Sequence, residues 1–127
     1  MIPAELHYTP EHEWVRVTET GTVVVGITHY AQDALGDIVF VDLPELGSEL
    51  SRGTSFGTVE SVKAVEEMYA PITGEVVQRN EAVLANPEEL QNDPHGEGWL
   101  LVIRPSDPAQ IGELMDSATY SAKVAAA

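Results

Sequence analysis

Short runs of β-branched and aromatic residues dominate the hydrophobic pattern of this chain. One run, from Trp14 to Val17, alternates between its two faces, and Pro44 ends another. Gly, Pro or Asn residues border most of these runs, as expected for strands joined by tight turns. The predicted strands cover 14–17, 22–27, 38–43, 74–77 and 99–103. Short strands at this spacing predict an antiparallel sandwich or barrel.

Helical patterns are fewer. Thr28 is expected to cap a helix over 29–35 that ends at Gly36, and Asn86 to open one or two further turns. Asp107 and Pro108 have the spacing of an N-cap and a first-turn proline. They precede an apolar stripe at helical spacing: Ile111, Leu114, Met115 and Ala118. This stripe predicts a C-terminal helix over about 108–118, followed by a frayed tail over 121–127.

The charge of the chain narrows the classes of partner. Its 127 residues include 21 Asp and Glu against 6 Lys and Arg, a formal net charge of −15. Such a surface repels phosphate backbones and anionic lipids, so neither nucleic acid nor a membrane is an expected partner. No residue is cysteine, which excludes a disulfide framework and a thiol nucleophile.

Other motifs predict no further chemistry. The four histidines, His7, His12, His29 and His95, show no metal-ligand spacing, so no metal site is expected. The first residues lack the basic and apolar regions of a secretory signal, so none is expected, and no apolar run is long enough to cross a bilayer. We therefore expect a cytoplasmic protein, or one of the mitochondrial matrix only if a transit peptide has been removed.

One of the two lysines, Lys63, lies in an unusual segment, whereas Lys123 belongs to the predicted tail. Four apolar residues around Lys63 recur at every third position: Val59, Val62, Val65 and Met68. This period alone favours a helix. The flanking Gly57 and Pro71 leave a second interpretation open, in which two strands form a hairpin with Lys63 at its tip.

The neighbours of Lys63 argue against amine catalysis. A Schiff-base or nucleophilic lysine must be uncharged near neutral pH, which requires burial or a nearby cation. Three glutamates surround Lys63 instead, namely Glu60, Glu66 and Glu67. They favour the charged amine, and an exposed lysine on a turn is better suited to recognition by a modifying enzyme.

The segment from Gly57 to Ala64 resembles the lipoyl-attachment motif of the glycine cleavage system H protein family. Further blocks resemble the same family in the same order, over residues 8 to about 103. They are Tyr8–Trp14, Gly26–Thr28, Ala31–Val39, Val41–Pro44, Ala70–Val76, Asn80, Asp93–Pro94 and Gly96–Trp99. One departure is His95, where the family usually has Tyr.

The resemblance implies an all-β-dominated barrel-sandwich hybrid of the lipoyl-domain type. Its two antiparallel sheets would be accompanied by short helices and a C-terminal helix. The lysine lies on a hairpin turn in this fold, so the resemblance favours the hairpin over the helix. It implies a single carrier domain over 1–127, with its core over about 8–104.

The resemblance also implies a non-enzymatic carrier with no catalytic residue of its own. Lys63 would hold lipoate in amide linkage, within a motif formed by Glu60, Ser61, Val62 and Ala64. A lipoate ligase or lipoyltransferase would attach the group. The carrier would take the aminomethyl group of glycine from a pyridoxal-phosphate glycine decarboxylase to a tetrahydrofolate-dependent aminomethyltransferase. Dihydrolipoamide dehydrogenase would reoxidise the dithiol, and we expect the carrier to be a monomer.

Two acidic residues are candidates for protecting the cargo. The aminomethyl group is a cation when protonated, and a cleft with carboxylates would hold and shield it. By resemblance, the candidates are Glu13 and Glu67. The alternative interpretation is that both are solvated acids, in a chain with 15 glutamates.

Three other functions are alternatives to the carrier of the aminomethyl group. A lipoyl donor, relaying lipoate to other lipoyl-dependent complexes, is the main alternative within carriers. A biotin carrier normally has Met on both sides of the lysine, which Val62 and Ala64 do not match. An enzyme using Lys63 as a Schiff-base nucleophile is disfavoured by the neighbouring glutamates.

Overall fold

The computed structural model describes residues 4–126 and contains nine strands over that range. In chain order the strands are β1 (His7–Tyr8), β2 (Glu13–Val17), β3 (Val23–Ile27), β4 (Ile38–Asp42), β5 (Glu49–Leu50), β6 (Ser55–Ser61), β7 (Val65–Tyr69), β8 (Gly74–Arg79) and β9 (Leu101–Pro105). Six strands form one antiparallel sheet in the order β1-β2-β3-β9-β8-β5, and β4-β6-β7 form the second. This is the predicted barrel-sandwich hybrid.

Short helices lie between β3 and β4, between β8 and β9, and after β9. They are α1 (His29–Leu35), α2 (Glu81–Ala85), α3 (Glu88–Asn92), a 3-10 helix (Pro108–Glu113) and α4 (Ser117–Ala126). Helix α1 confirms the predicted cap, because the Thr28 hydroxyl accepts from the backbone N–H of Ala31. Gly36 ends α1 with a φ of 80°, which a residue without Cβ adopts readily. None of the helices within residues 4–126 is long and apolar enough to span a membrane.

The core lies between the two sheets. Successive residues of a strand face opposite sides, so Val15 and Val25 face inward while their neighbours Trp14 and Val24 face out. The outward residues are also buried, because α4 covers that face of the six-stranded sheet through Tyr120. The C-terminal helix is therefore part of a second, smaller core.

The segment around Lys63 is a hairpin, and the helix favoured by its period is wrong. Strands β6 and β7 pair antiparallel, with Val59 opposite Glu66 and Glu60 opposite Val65. Val59 and Met68 are buried in the core, whereas Val62 and Val65 are 71% and 62% exposed. The three-residue spacing therefore combines two inward residues with two outward ones across a turn.

The predicted helix over 108–118 is replaced by two separate helices. The 3-10 helix ends at Glu113, and Leu114 is extended. Met115 then exchanges two backbone hydrogen bonds of 2.9 Å with Tyr8, which removes it from any helix. Helix α4 begins at Ser117 and continues to Ala126, through most of the segment expected to be frayed; residue 127 lies outside the described residues.

Candidate functional site

Lys63 lies exposed in the three-residue turn, Val62 to Ala64, between β6 and β7. The turn is closed by a 2.8 Å hydrogen bond from the backbone N–H of Ser61 to the carbonyl of Ala64. The buried Ser61 hydroxyl oxygen accepts from the N–H groups of Lys63 and Ala64, at 3.2 and 3.1 Å. One side chain thus satisfies the backbone of the tip and leaves the lysine side chain directed away from the core.

The other residues of the predicted attachment motif have distinct positions on this hairpin. Glu60 and Val62 are exposed, and the N–H of Val62 donates to the carbonyl of Asp37 at 3.1 Å. Ala64 packs against the core. The hairpin tip is therefore anchored from both sides, by the core through Ala64 and by the start of β4 through Val62.

A cleft of about 290 Å³ opens beside the hairpin. Ala64, directly after Lys63, is part of its wall. Apolar residues make up much of the lining: Ile27, Ala31, Ala34, Leu35, Val59 and Met68. Its polar residues are Glu11, His12, Glu13, Tyr30, Glu66 and Glu67. The attachment point and an apolar cleft with acidic groups are thus adjacent.

Glu13 is the buried carboxyl of this cleft, with only 1% of its surface exposed. Its Oε1 accepts from the Thr9 hydroxyl at 2.5 Å, and its Oε2 accepts from the backbone N–H of Tyr69 at 3.1 Å. No Lys or Arg within residues 4–126 forms an ion pair with it. Burial without a cation raises the pKa of Glu13 to about 7, although its hydrogen bonds oppose the shift.

Glu66 and Glu67 both line the cleft but face different ways along β7. In the pairing register, Glu66 lies in a row with Val59 and Val41, which are buried. Glu67 lies in the neighbouring row with Thr58 and Asp42, on the outer face. Both glutamates are exposed. Strand alternation therefore directs Glu66 toward the cleft more than Glu67, a difference that no local sequence pattern indicates.

His12 lies at the mouth of the cleft, directly before Glu13. Its Nδ1 is 2.7 Å from the hydroxyl oxygen of Tyr120, on α4. Burial and the charge of Lys123 lower the pKa of His12 below its ordinary value. The sequence patterns singled out His12 only as a histidine without metal-ligand spacing, since nothing local brings α4 to it.

The other sequence positions of interest lie away from the cleft. The ring of His95 is 6.3 Å from that of Trp14, and its Nε2 accepts weakly from the N–H of His29 at 3.3 Å. This residue therefore packs at the second, smaller core. The part of the chain that the structure describes contains no group of three His, Asp or Glu arranged to hold a metal ion.

Comparison with known proteins identifies the family. The family model for the glycine cleavage H-protein matches residues 6–127 of the chain. The chain belongs to the glycine cleavage H-protein family. Members of this family are lipoyl carriers. An exposed lysine beside a cleft is consistent with such a role.

Relatives and a solved structure agree with this assignment. The chain is 78% identical over 125 residues to the glycine cleavage system H protein of Synechococcus sp. strain CC9311, covering 98% of this chain and 96% of that one. It is 60% identical over 124 residues to that of Prochlorococcus marinus strain NATL1A, covering 98% and 96%. A crystal structure of the H protein from Mycobacterium marinum superposes with a TM-score of 0.89 at 42% identity, covering 96% of this chain and 98% of that one.

Proposed function

We propose that Lys63 holds lipoate in amide linkage and that the chain uses this arm to carry the aminomethyl group of glycine between enzymes. The observation that carries the proposal is the exposed Lys63 on a braced hairpin tip, one residue from the wall of an acidic cleft. Lipoate would supply the dithiol to which the one-carbon unit is attached. The chain itself would supply position, shielding and electrostatics.

The residues of the cleft fit this group. An alkyl chain ending in a dithiolane is apolar, and Ile27, Leu35 and Met68 present apolar surface along the cleft. Only one end of the site requires charge, namely the end that meets the aminomethyl cation. Glu13 lines the cleft and is buried without a basic partner among the described residues, so it can accept a cation without displacing another one.

Shielding follows from the same geometry. A carboxylate bonded to a cation in a partly desolvated site contributes about 1.5–3 kcal/mol, which shifts a two-state arm by one order of magnitude or more. The oxidised dithiolane is neutral and gains nothing from the carboxylates. We therefore infer that Glu13, together with Glu67 at the edge, retains the arm only when it carries the cationic cargo.

The surface charge supports association with other proteins of the system. Three of the four arginines are paired within the chain, as Arg52–Glu113, Arg79–Glu81 and Arg104–Glu75. The guanidinium of Arg16 lies 5.8 Å from the centroid of the Trp14 ring. Within residues 4–126, most carboxylates are consequently left without a basic partner. We propose that the decarboxylase, the aminomethyltransferase, dihydrolipoamide dehydrogenase and the lipoylating enzyme each present a basic surface to the hairpin.

The first experiment tests the carrier role. Lipoylated wild type, mixed with purified decarboxylase, aminomethyltransferase and dehydrogenase, should support glycine-dependent reduction of NAD. Lys63→Arg keeps the charge but cannot be lipoylated in this way, so it should fold and give no turnover. Lys123→Arg, on α4, is the matched control and should behave as wild type. Turnover with Lys63→Arg would contradict the proposal.

The second experiment tests the shielding role. Glu13→Gln and Glu67→Gln should leave lipoylation and dithiol reoxidation near wild type while hastening non-enzymatic release of ammonia from the cargo. Glu66→Gln extends the series, because the strand register directs this residue toward the cleft. If Glu13→Gln and Glu67→Gln, singly and combined, retain the cargo as long as wild type, neither residue shields the cargo and the proposal is wrong.

A further inference from the structure

His12 has a backbone conformation that histidine rarely adopts. Its φ is 71°, and it is the one non-glycine residue with positive φ within residues 4–126. The residue ends a turn that is closed by a 3.1 Å hydrogen bond from its N–H to the carbonyl of Thr9. Glycine is the usual residue at such a position, because the Cβ of any other residue disfavours this backbone conformation. An imidazole held at the mouth of a binding cleft under this strain indicates that the ring has a task.

Two helices meet at the His12 side chain. The ring lies 4.7 Å from the ring of Tyr30, on α1, and its Nδ1 is 2.7 Å from the Tyr120 hydroxyl, on α4. The same Tyr120 hydroxyl is 2.7 Å from the Thr28 hydroxyl, which caps α1. The buried Tyr120 hydroxyl therefore connects the turn that precedes Glu13 with the start of α1, on the opposite wall of the cleft.

The hydrogens in this network can be assigned by elimination. The Thr28 side chain is buried, so its hydroxyl hydrogen needs an acceptor within the protein, while its oxygen accepts from the N–H of Ala31 at 3.3 Å. Within residues 4–126, Tyr120 is the only acceptor within reach of the Thr28 hydroxyl hydrogen. Tyr120 therefore accepts from Thr28, and its own hydrogen is donated to His12 Nδ1. Nδ1 then holds a lone pair, the hydrogen is on Nε2, and the imidazole is uncharged.

The groups that face His12 come from several elements. They are Glu11 and Glu13 beside it, Tyr30 of α1, Glu66 and Glu67 of β7, and Tyr120 and Lys123 of α4. Burial and Lys123 lower the pKa of His12, while Glu11 acts in the opposite direction. The local electrostatics thus agree with the uncharged ring that the hydrogen bonds require.

We propose that Tyr120 is a positioning residue for the cleft, whose hydroxyl holds His12 as the uncharged Nε2–H tautomer. An imidazolium at the mouth would oppose a cation entering toward Glu13, and the tyrosine prevents it from forming. Helix α4, on the outer face of the sheet, becomes part of the specificity of the site for cationic cargo. This inference rests on the proposed function only in naming that cargo.

The test begins with the unlipoylated chain, so its result does not depend on the modification of Lys63. Nitrogen-15 spectra of the wild type should show His12 with a bare Nδ1 and a protonated Nε2. Tyr120→Phe keeps the ring that stacks on Tyr8 at 4.5 Å and removes only the hydroxyl. In this variant both tautomers should appear, and His12 should become protonated at a higher pH than in wild type. Tyr30→Phe, whose ring also contacts His12, is the control and should keep the wild-type tautomer.

A pH profile on the loaded protein completes the test. Tyr120→Phe should lose its cargo faster than wild type at pH 6, where His12 becomes charged, and at the wild-type rate at pH 8. Asparagine tolerates positive φ, so His12→Asn preserves the turn and should abolish this effect of Tyr120→Phe. An Nδ1–H tautomer in wild type, an unchanged tautomer in Tyr120→Phe, or equal acceleration at both pH values or in the His12→Asn background would overturn the proposal.

Discussion

The raised pKa of Glu13 predicts how much the free energy of unfolding changes with pH. Its pKa rises from an ordinary 4.5 to about 7 in the folded chain, because burial without a cation disfavours the charged form. Between these two values the folded state binds a proton that the unfolded state has lost. At about 1.4 kcal/mol per pH unit, the shift corresponds to about 3 kcal/mol.

The raised pKa predicts that Glu13 stabilises the folded state more at low pH than at high pH. The Glu13 contribution is fully present below pH 4.5, declines as pH rises toward 7, and is gone above that value. Glu13→Gln removes this decline, since an amide resembles the protonated carboxyl and can use the same Thr9 and Tyr69 partners. The free energy of unfolding of the variant, relative to wild type, should therefore increase by about 3 kcal/mol between pH 4 and pH 8.

Urea unfolding of the unlipoylated proteins at several pH values measures this difference directly. Glu66→Gln removes the same charge from an exposed position on the same cleft and is the matched control. Its difference from wild type should stay nearly constant across the series. A constant difference for Glu13→Gln as well would refute the account of a buried, unpaired carboxyl.

Three further predictions concern packing, the hairpin turn and partner binding. Gly26→Ala should cost about 1–3 kcal/mol of unfolding free energy in urea titrations, because its Cβ would lie 2.6 Å from the Trp14 ring. Ser61→Ala should slow lipoylation by purified ligase, since it removes the acceptor for the Lys63 and Ala64 N–H groups. Mass spectrometry measures the rate, and an unchanged rate would show that the turn does not need these hydrogen bonds. Affinity for each partner enzyme, measured by calorimetry, should fall as salt rises, because exposed charges are screened beyond about 8 Å at physiological ionic strength; an affinity that is flat across the series would exclude electrostatic docking.

Local patterns predicted the α1 cap and five of the nine strands within residues 4–126, because β-branched runs and the Thr28 cap have immediate structural causes. The hairpin around Lys63 was harder. Its valines occur every third residue, and only pairing across the turn reveals that Val59 faces inward while Val62 and Val65 face solvent. The resemblance to the H-protein family, rather than periodicity, supplied the correct interpretation there.

The C-terminal region shows why helical spacing can mislead. The apolar stripe from Ile111 to Ala118 spans a break, because Met115 pairs with the backbone of Tyr8. Helix α4 lacked a clear signal, and its single buried anchor, Tyr120, packs on residues more than 90 positions earlier. Long-range contacts of this kind have no local signature.

Long-range contacts also determine the positions of the polar residues in the cleft. Glu13 was found by resemblance, but its burial depends on Thr9 and Tyr69, which come from two separate segments. The opposite facing of Glu66 and Glu67 depends on the β6–β7 register. His12 joins the site only because α4 folds back over the six-stranded sheet.

We propose above all that Lys63 holds the lipoyl arm. The most direct measurement is the intact mass of the protein from its native cell, followed by peptide mapping of the modified residue. We predict one lipoyl group, on Lys63 and not on Lys123, with the formal net charge changing from −15 to −16 as one amine is acylated. An unmodified chain in cells with active ligase and lipoate, or lipoate on Lys123, would contradict it.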